Sequence, residues 1–212
     1  MKAFLFLAKT LLIVSALAVN AAAATDIKTT PAQGDVQFDA IGKPSMIKIK
    51  GKGEGAVAAL KVDNNTLNGD FKFNVDSLTT GMGVRDDHMK NKYLQVKDFP
   101  QATLTLKDFK LPATWNLKNA VVKQADFSGT LKLHGVEKPI KGTFQIDNEK
   151  LAGVANFELN ISDYGIEIPS YLGVKVTDTV KVAVTFTEMT ATEVASAAAP
   201  KADVAAPAKK KK

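Results

Sequence analysis

Residues 126–135 read DFSGTLKLHG, and this stretch decides the fold class. Phe127, Gly129, Leu131 and Leu133 alternate with Ser128, Thr130 and Lys132. A period of two puts one set on each face of an extended strand. The His134-Gly135 pair that follows is a turn signal, and Phe144 and Ile146 resume beyond it.

The same alternation recurs outward in both directions. Phe71, Phe73 and Val75 alternate with Lys72, Asn74 and Asp76, and Leu104 and Leu106 with Thr103 and Thr105. Further on, Ala155, Phe157, Leu159 and Ile161 form one set and Val180, Val182, Val184 and Phe186 another. Strands are also expected at 36–40, 46–51 and 58–63. Each has one apolar and one polar face, the pattern of an antiparallel sheet wetted on one side. About nine such runs with short connections describe an all-β domain. A sheet that closes on itself loses its exposed edges, and eight strands leave an interior able to hold one small ligand. A β-sandwich has the same periodicity, so the pattern leaves barrel and sandwich both open.

One segment breaks the strand period. Gly81 to Leu94 (GMGVRDDHMKNKYL) reads as a short helix at about 82–92, with Val84, His88, Met89 and Tyr93 forming an apolar stripe towards the sheet. Two irregular stretches, 111–119 and 161–174, carry Pro112 with Trp115 and Pro169 with two glycines. Gly51, Gly53 and Gly55 alternate with Lys and Glu and read as a flexible hairpin rather than a phosphate-cradling loop.

Three zones are expected. Residues 1–24 combine Lys2 and Lys9, an uncharged run from Thr10 to Val19, and the small residues Ala22-Ala23-Ala24. That is the form of a cleaved export signal, cut near Ala24, and it implies a periplasmic or secreted protein. Residues 25–189 are the domain. Residues 190–212, rich in Ala, Pro and Lys and without aromatics, read as a disordered tail ending in Lys209, Lys210, Lys211 and Lys212. The chain has no cysteine, so the core alone must hold the fold.

The net charge of +6 suggests nucleic acid until the charges are located. Residues 25–189 carry 21 basic and 20 acidic side chains, so the excess belongs to the two ends. No basic face for phosphate contacts is evident, and nucleic acid is not an expected partner. The terminal lysines suit weak contact with an anionic membrane surface.

Reactive groups are few. Arg85, the single arginine, stands beside Asp86, Asp87 and His88. This cluster is read as a polar group at the barrel mouth, either tying the helix to loops or, in the enzyme alternative, acting as a hydrolase. Side chains of adjacent helical residues splay apart, so Asp86, Asp87 and His88 do not converge on a metal by themselves. No G-x-S-x-G element is present. No metal and no cofactor is expected.

Three blocks resemble the YceI-like family. The first runs from Val75-Asp76-Ser77-Leu78-Thr79-Thr80-Gly81 through Arg85-Asp86-Asp87-His88-Met89 to Tyr93-Leu94 and Phe99-Pro100. The second is Gly129 to Pro139 (GTLKLHGVEKP). The third is Ile161-Ser162-Asp163-Tyr164-Gly165-Ile166 with Val180-Lys181-Val182. The first third of the chain departs from the family pattern, with no histidine in Phe38–Gly42, and Ser162 stands where arginine is common. The resemblance implies an antiparallel, lipocalin-like β-barrel of about eight strands, with a lumen for a polyisoprenoid or quinone-like chain. It turns the inward apolar residues into candidate ligand contacts: Phe71, Phe73, Met82, Met89, Tyr93, Leu104, Leu106, Leu131, Leu133, Phe144, Phe157, Leu159 and Phe186. A binding protein is expected rather than an enzyme. The alternatives are the hydrolase and an envelope interaction protein acting through its lysine tail; a homodimer is left open.

Overall fold

Alternating side chains give each strand one face to bury, and antiparallel pairing lets neighbouring strands bury it together. A computed structural model describes residues 24–194 apart from 45, 114, 119, 148, 149 and 172, and of residue 171 only the backbone. The proposed signal, residues 1–23 of it, and the tail from 195 lie outside the described residues.

The strands in chain order are β1 (Ala24–Lys28), β2 (Gly34–Lys43), β3 (Ile47–Glu54), β4 (Val57–Asp63), β5 (Thr66–Asn74), β6 (Gln101–Lys110) and β7 (Val122–Leu133). They continue with β8 (Val136–Ile146), β9 (Gly153–Asn160), β10 (Ser170–Tyr171), β11 (Val174–Val176), β12 (Thr179–Phe186) and β13 (Thr190–Val194). A helix, α1 (Gly83–Asp87), runs directly into a π-helical turn at His88–Tyr93.

The registers decide barrel against sandwich. β1 pairs β4, with Thr25 opposite Val62, and β2 pairs β3, with Asp35 opposite Glu54. Thus β1 and β2 are halves of one bent ribbon, and β3 and β4 are halves of the next. The corner lies at Gly34, whose carbonyl accepts from both Gly55 N (2.9 Å) and Ala56 N (3.0 Å). A Cβ on Gly34 would collide with the Ala56 carbonyl oxygen, so the bend requires glycine. On the other side of the first ribbon, β2 pairs β12 and β1 pairs β13. From β12 the ladders run through β9, β8, β7, β6, β5 and β4 and return to β1. Eight ribbons therefore close a ring, and no sheet edge is left open along most of it.

Two expectations are corrected. Gly51 and Gly53 do not make a flexible hairpin; they lie within β3. A Cβ on Gly51 would run into the Phe38 ring, and one on Gly53 would stand 2.7 Å from Phe73, so the glycines make room for aromatic rings. Residues 190–194, assigned to the tail, form β13. β1 offers them a free edge, with Ala24 opposite Val194 and Lys28 opposite Thr190.

The buried core follows the inward faces round the ring. Phe127 and Phe157 meet edge to face at 6.4 Å, and Phe109 and Phe144 at 5.5 Å. Tyr164, on a short 3-10 turn at Ile161–Tyr164, is buried in the same cluster. Among the described residues no helix is long and apolar enough to cross a membrane.

Candidate functional site: an apolar lumen with a half-open mouth

The inward faces do not fill the barrel. They enclose a cavity of about 780 Å³ that reaches from α1 to Leu111 and Met189. That size lies within the range of small-molecule and cofactor sites. All thirteen residues named from the sequence stand on its wall. Phe71, Leu104 and Leu131 form one row across β5, β6 and β7, each directly opposite the next. Phe73, Leu106 and Leu133 flank that row on the same strands. Phe144, Phe157, Leu159 and Phe186 come from β8, β9 and β12, on the facing wall.

Met82, Met89 and Tyr93 come from the helical segment. All four residues of the expected stripe, Val84, His88, Met89 and Tyr93, line the cavity, but to different depths. Tyr93 is buried and Met89 half-buried, while Val84 and His88 are exposed. At the π turn Leu94 N donates to Met89 O, five residues back, which widens the helix where Tyr93 is buried. Ser170 N donates to the Tyr93 hydroxyl (3.4 Å) and holds the 161–176 segment against this turn.

The wall also includes residues the sequence reading passed over. Phe38 and Ala40 of β2 and Phe127 of β7 could have been taken from their alternation; Phe109 of β6 could not, because a register shift before it puts it out of phase with Leu104 and Leu106. Ile166, Pro169 and Val174 could not, because they come from an irregular stretch with no periodic signal.

The Arg85–His88 cluster is shared out rather than gathered. Asp86 accepts from Thr79 Oγ1 (2.6 Å), Thr80 N (2.7 Å) and Thr80 Oγ1. Burial works to raise its pKa, but these three hydrogen bonds, with Lys90 nearby, outweigh it and hold the carboxyl below its ordinary value. Arg85 donates from Nε to Thr80 Oγ1 (2.8 Å) and from Nη2 to Thr80 O (3.2 Å). Asp87 accepts from Asn91 Nδ2 (2.6 Å). Arg85 and His88 border the cavity; Asp86 and Asp87 do not. The group chiefly pins α1 to the strand-like segment at Thr79-Thr80.

The other histidine is a latch. His134 Nδ1 donates to Tyr164 O (3.1 Å), Nε2 pairs with the Gln95 side-chain oxygen (3.0 Å), and the ring lies 4.3 Å from Phe99. It joins the β7–β8 turn to the loop after the helix and to the 161–164 turn. Among the described residues no group of three or more His, Asp or Glu side chains is placed to hold a metal.

Comparison with known proteins agrees with this geometry. A profile of the YceI-like domain matches residues 27–187. A UPF0312 protein of Pseudomonas savastanoi pv. phaseolicola is 35% identical over 120 residues, which is 52% of this chain and 57% of that protein. One from Pseudomonas putida is 34% identical over 102 residues, 44% of this chain and 49% of that protein. The chain thus spans about half the length of the curated relatives it matches. Among solved structures, Burkholderia cenocepacia BcnA superposes with a TM-score of 0.57 at 15% identity, over 74% of this chain and 96% of that one. A domain from Saccharophagus degradans, described as polyisoprenoid-binding and implicated in plant cell wall breakdown, gives 0.55 at 15% identity, over 77% and 96%. These structural likenesses concern the fold.

Proposed function

The chain belongs to the YceI-like family, and on that premise we propose that it is a binding protein that holds one long apolar lipid, a polyisoprenoid or quinone-like chain, in its barrel. The observation that carries this reading is the lumen: about 780 Å³, walled almost wholly by aliphatic and aromatic side chains. Each methylene moved from water into such a wall contributes about 0.8 kcal/mol, so a long chain binds without any polar anchor. Selection then acts through length and shape. The Saccharophagus domain's description as polyisoprenoid-binding supports the ligand class. The hydrogen-bonding of Asp86, Asp87 and Arg85 to their own neighbours supports binding over turnover. Export through the N-terminal signal completes the proposal.

The test is direct. The protein is purified without detergent and extracted with organic solvent, and the extract is read by mass spectrometry. One lipid of prenyl type per chain is expected. If nothing is recovered, and the emptied protein takes up no added polyprenol or long-chain quinone, the reading fails.

A further inference from the structure

The exposed apolar side chains are not scattered. Among the described residues the large ones open to solvent are Ile41, Met46, Ile47, Met82, Val84 and Val121. All but Val121 belong to two segments, the β2–β3 turn with the adjoining strand ends and the start of α1. Met46 is 60% exposed, Ile47 46%, Met82 57% and Val84 69%. The two segments are neighbours. Lys52 N donates to Thr79 O (2.8 Å) and Thr79 N to Lys52 O (2.7 Å), an antiparallel bridge. The chain beyond Thr79 therefore heads towards the Ile47 end of β3. Ile47, Met82 and Val84 are at once solvent-exposed and part of the cavity wall, so they rim its mouth.

The β2–β3 side of this rim is basic. Lys43, Lys48, Lys50 and Lys52 are exposed, and residues 40–53 contain no carboxylate. Lys175 of β11 stands opposite Lys43 and is exposed as well. Of the acidic groups on these and adjoining segments, Asp39 pairs with Lys50 (3.3 Å), Asp86 accepts from the threonines, Asp87 from Asn91, and Asp178, next to the Thr177 that bonds Ile41, from Ser162; Glu167 is exposed.

We propose that the mouth docks on a bilayer surface containing anionic lipid, with Met46, Ile47, Met82 and Val84 inserted among the acyl chains and the lysines on the headgroups. The combination of apolar tips and a cationic collar is that of an interfacial membrane contact. A second copy of this chain fits worse, because a face-to-face pairing of mouths brings Lys43, Lys48 and Lys175 against their equivalents. Docked in this way, the lumen opens into the hydrocarbon, and a lipid enters without crossing water. The inference rests on the carrier reading above for its purpose, but its test does not need a bound lipid.

Val84→Trp in the full chain gives a reporter at the rim, with the native Trp115 as background. The variant is mixed with vesicles of phosphatidylglycerol and phosphatidylcholine in equal parts, with and without brominated acyl chains. The added emission should shift to shorter wavelength and be quenched by the bromines; pure phosphatidylcholine should give much less of both. In cosedimentation, Ile47→Ser with Met82→Ser, both exposed and replaceable without unfolding, should weaken binding to the mixed vesicles about tenfold or more. Three results overturn the inference: no binding; binding through the terminal lysines, with the emission of the introduced tryptophan unshifted and unquenched; or a shift that follows protein concentration without lipid, which means self-association. If the rim tryptophan inserts but extraction yields no lipid, the carrier reading falls and the docking stands.

Discussion

Leu104→Ala separates a lumen that holds a ligand from a core that merely has a hole. Leu104 sits mid-strand in β6, buried, between Phe71 and Leu131 on the neighbouring strands, and faces the cavity. The substitution removes three carbons, which at about 0.8 kcal/mol each amounts to about 2.4 kcal/mol when every face of the side chain is covered. In an emptied barrel the side of Leu104 that faces the cavity has little to pack against; taking that side as about half of its surface, about 1.2 kcal/mol is lost. For a chain of this size 1 kcal/mol moves the melting temperature by about 2–4 °C. The emptied variant should therefore melt about 3–4 °C below the emptied wild type. The loaded pair should differ by about 7 °C, the excess being affinity lost by the ligand. Ile140→Ala is the control: Ile140 is buried but not on the cavity wall, and the same number of carbons is removed. It should cost about 2–5 kcal/mol in both forms alike. The assay is calorimetry on protein as purified and after solvent extraction. Equal loading-dependence for the two variants, or none for either, would show that the occupant does not lie against β6.

Three other outcomes follow from the polar and tight sites. Asp86 has a depressed pKa, so its contribution to stability is full above the ordinary value of 3.8 and is lost as pH falls through the lower folded value. Asp86→Asn should be less stable than wild type at pH 7, and the difference in urea midpoint should shrink below about pH 4; a constant difference refutes the role given to the carboxylate. Burial, with the Asp163 charge, pushes the Tyr164 hydroxyl up to about 12, and among the described residues that hydroxyl has no hydrogen-bond partner. Tyr164→Phe should leave stability unchanged or raise it by about 1 kcal/mol, with His134 still bonded to the backbone carbonyl, and should remove a late-titrating phenol from the ultraviolet titration. A loss of stability would mean that the hydroxyl is paired after all. Gly51→Val forces the Phe38 ring away and should cost about 1–3 kcal/mol in a denaturant titration; a neutral result would mean that β3 is free to bow outwards.

The strand ribbons were legible because a one-residue slip would expose a whole apolar face. Hence Phe127 to Leu133 and Val180 to Phe186 fall where their alternation puts them. The corners were not legible. Nothing in the run Lys48–Glu54 distinguishes a hairpin from a strand that carries rings over its glycines. The distinction lies in Phe38 and Phe73, which reach those glycines from β2 and β5. Likewise β13 depends on the free edge of β1, a long-range contact that local composition does not encode. The wall residues at Ile166, Pro169 and Val174 were hidden for the same reason: the 161–176 segment is shaped by the barrel it lies against and has no period of its own.

Whether the barrel is hollow is a question of volume, and alternation says nothing about volume. An eight-stranded barrel is just wide enough for its side chains to fill it or for one ligand to enter. Here the balance is set by small residues at inward positions. Ala40, Ala56, Ala102, Ala155 and Gly153 all stand on the cavity wall. Ala102 lies opposite Phe73, and Ala155 opposite both Phe144 and Val184, so small residues face large ones across the ladders. Rings supply the apolar surface while their small neighbours leave the space. Replacing Ala102 and Ala155 together by leucine adds six carbons to the lumen without touching the outer face. It should therefore raise stability in the emptied protein and abolish uptake of a prenyl chain. A variant that is stabilised and still loads would show that the lipid enters elsewhere; one that is destabilised would show that the space between these strands is already taken.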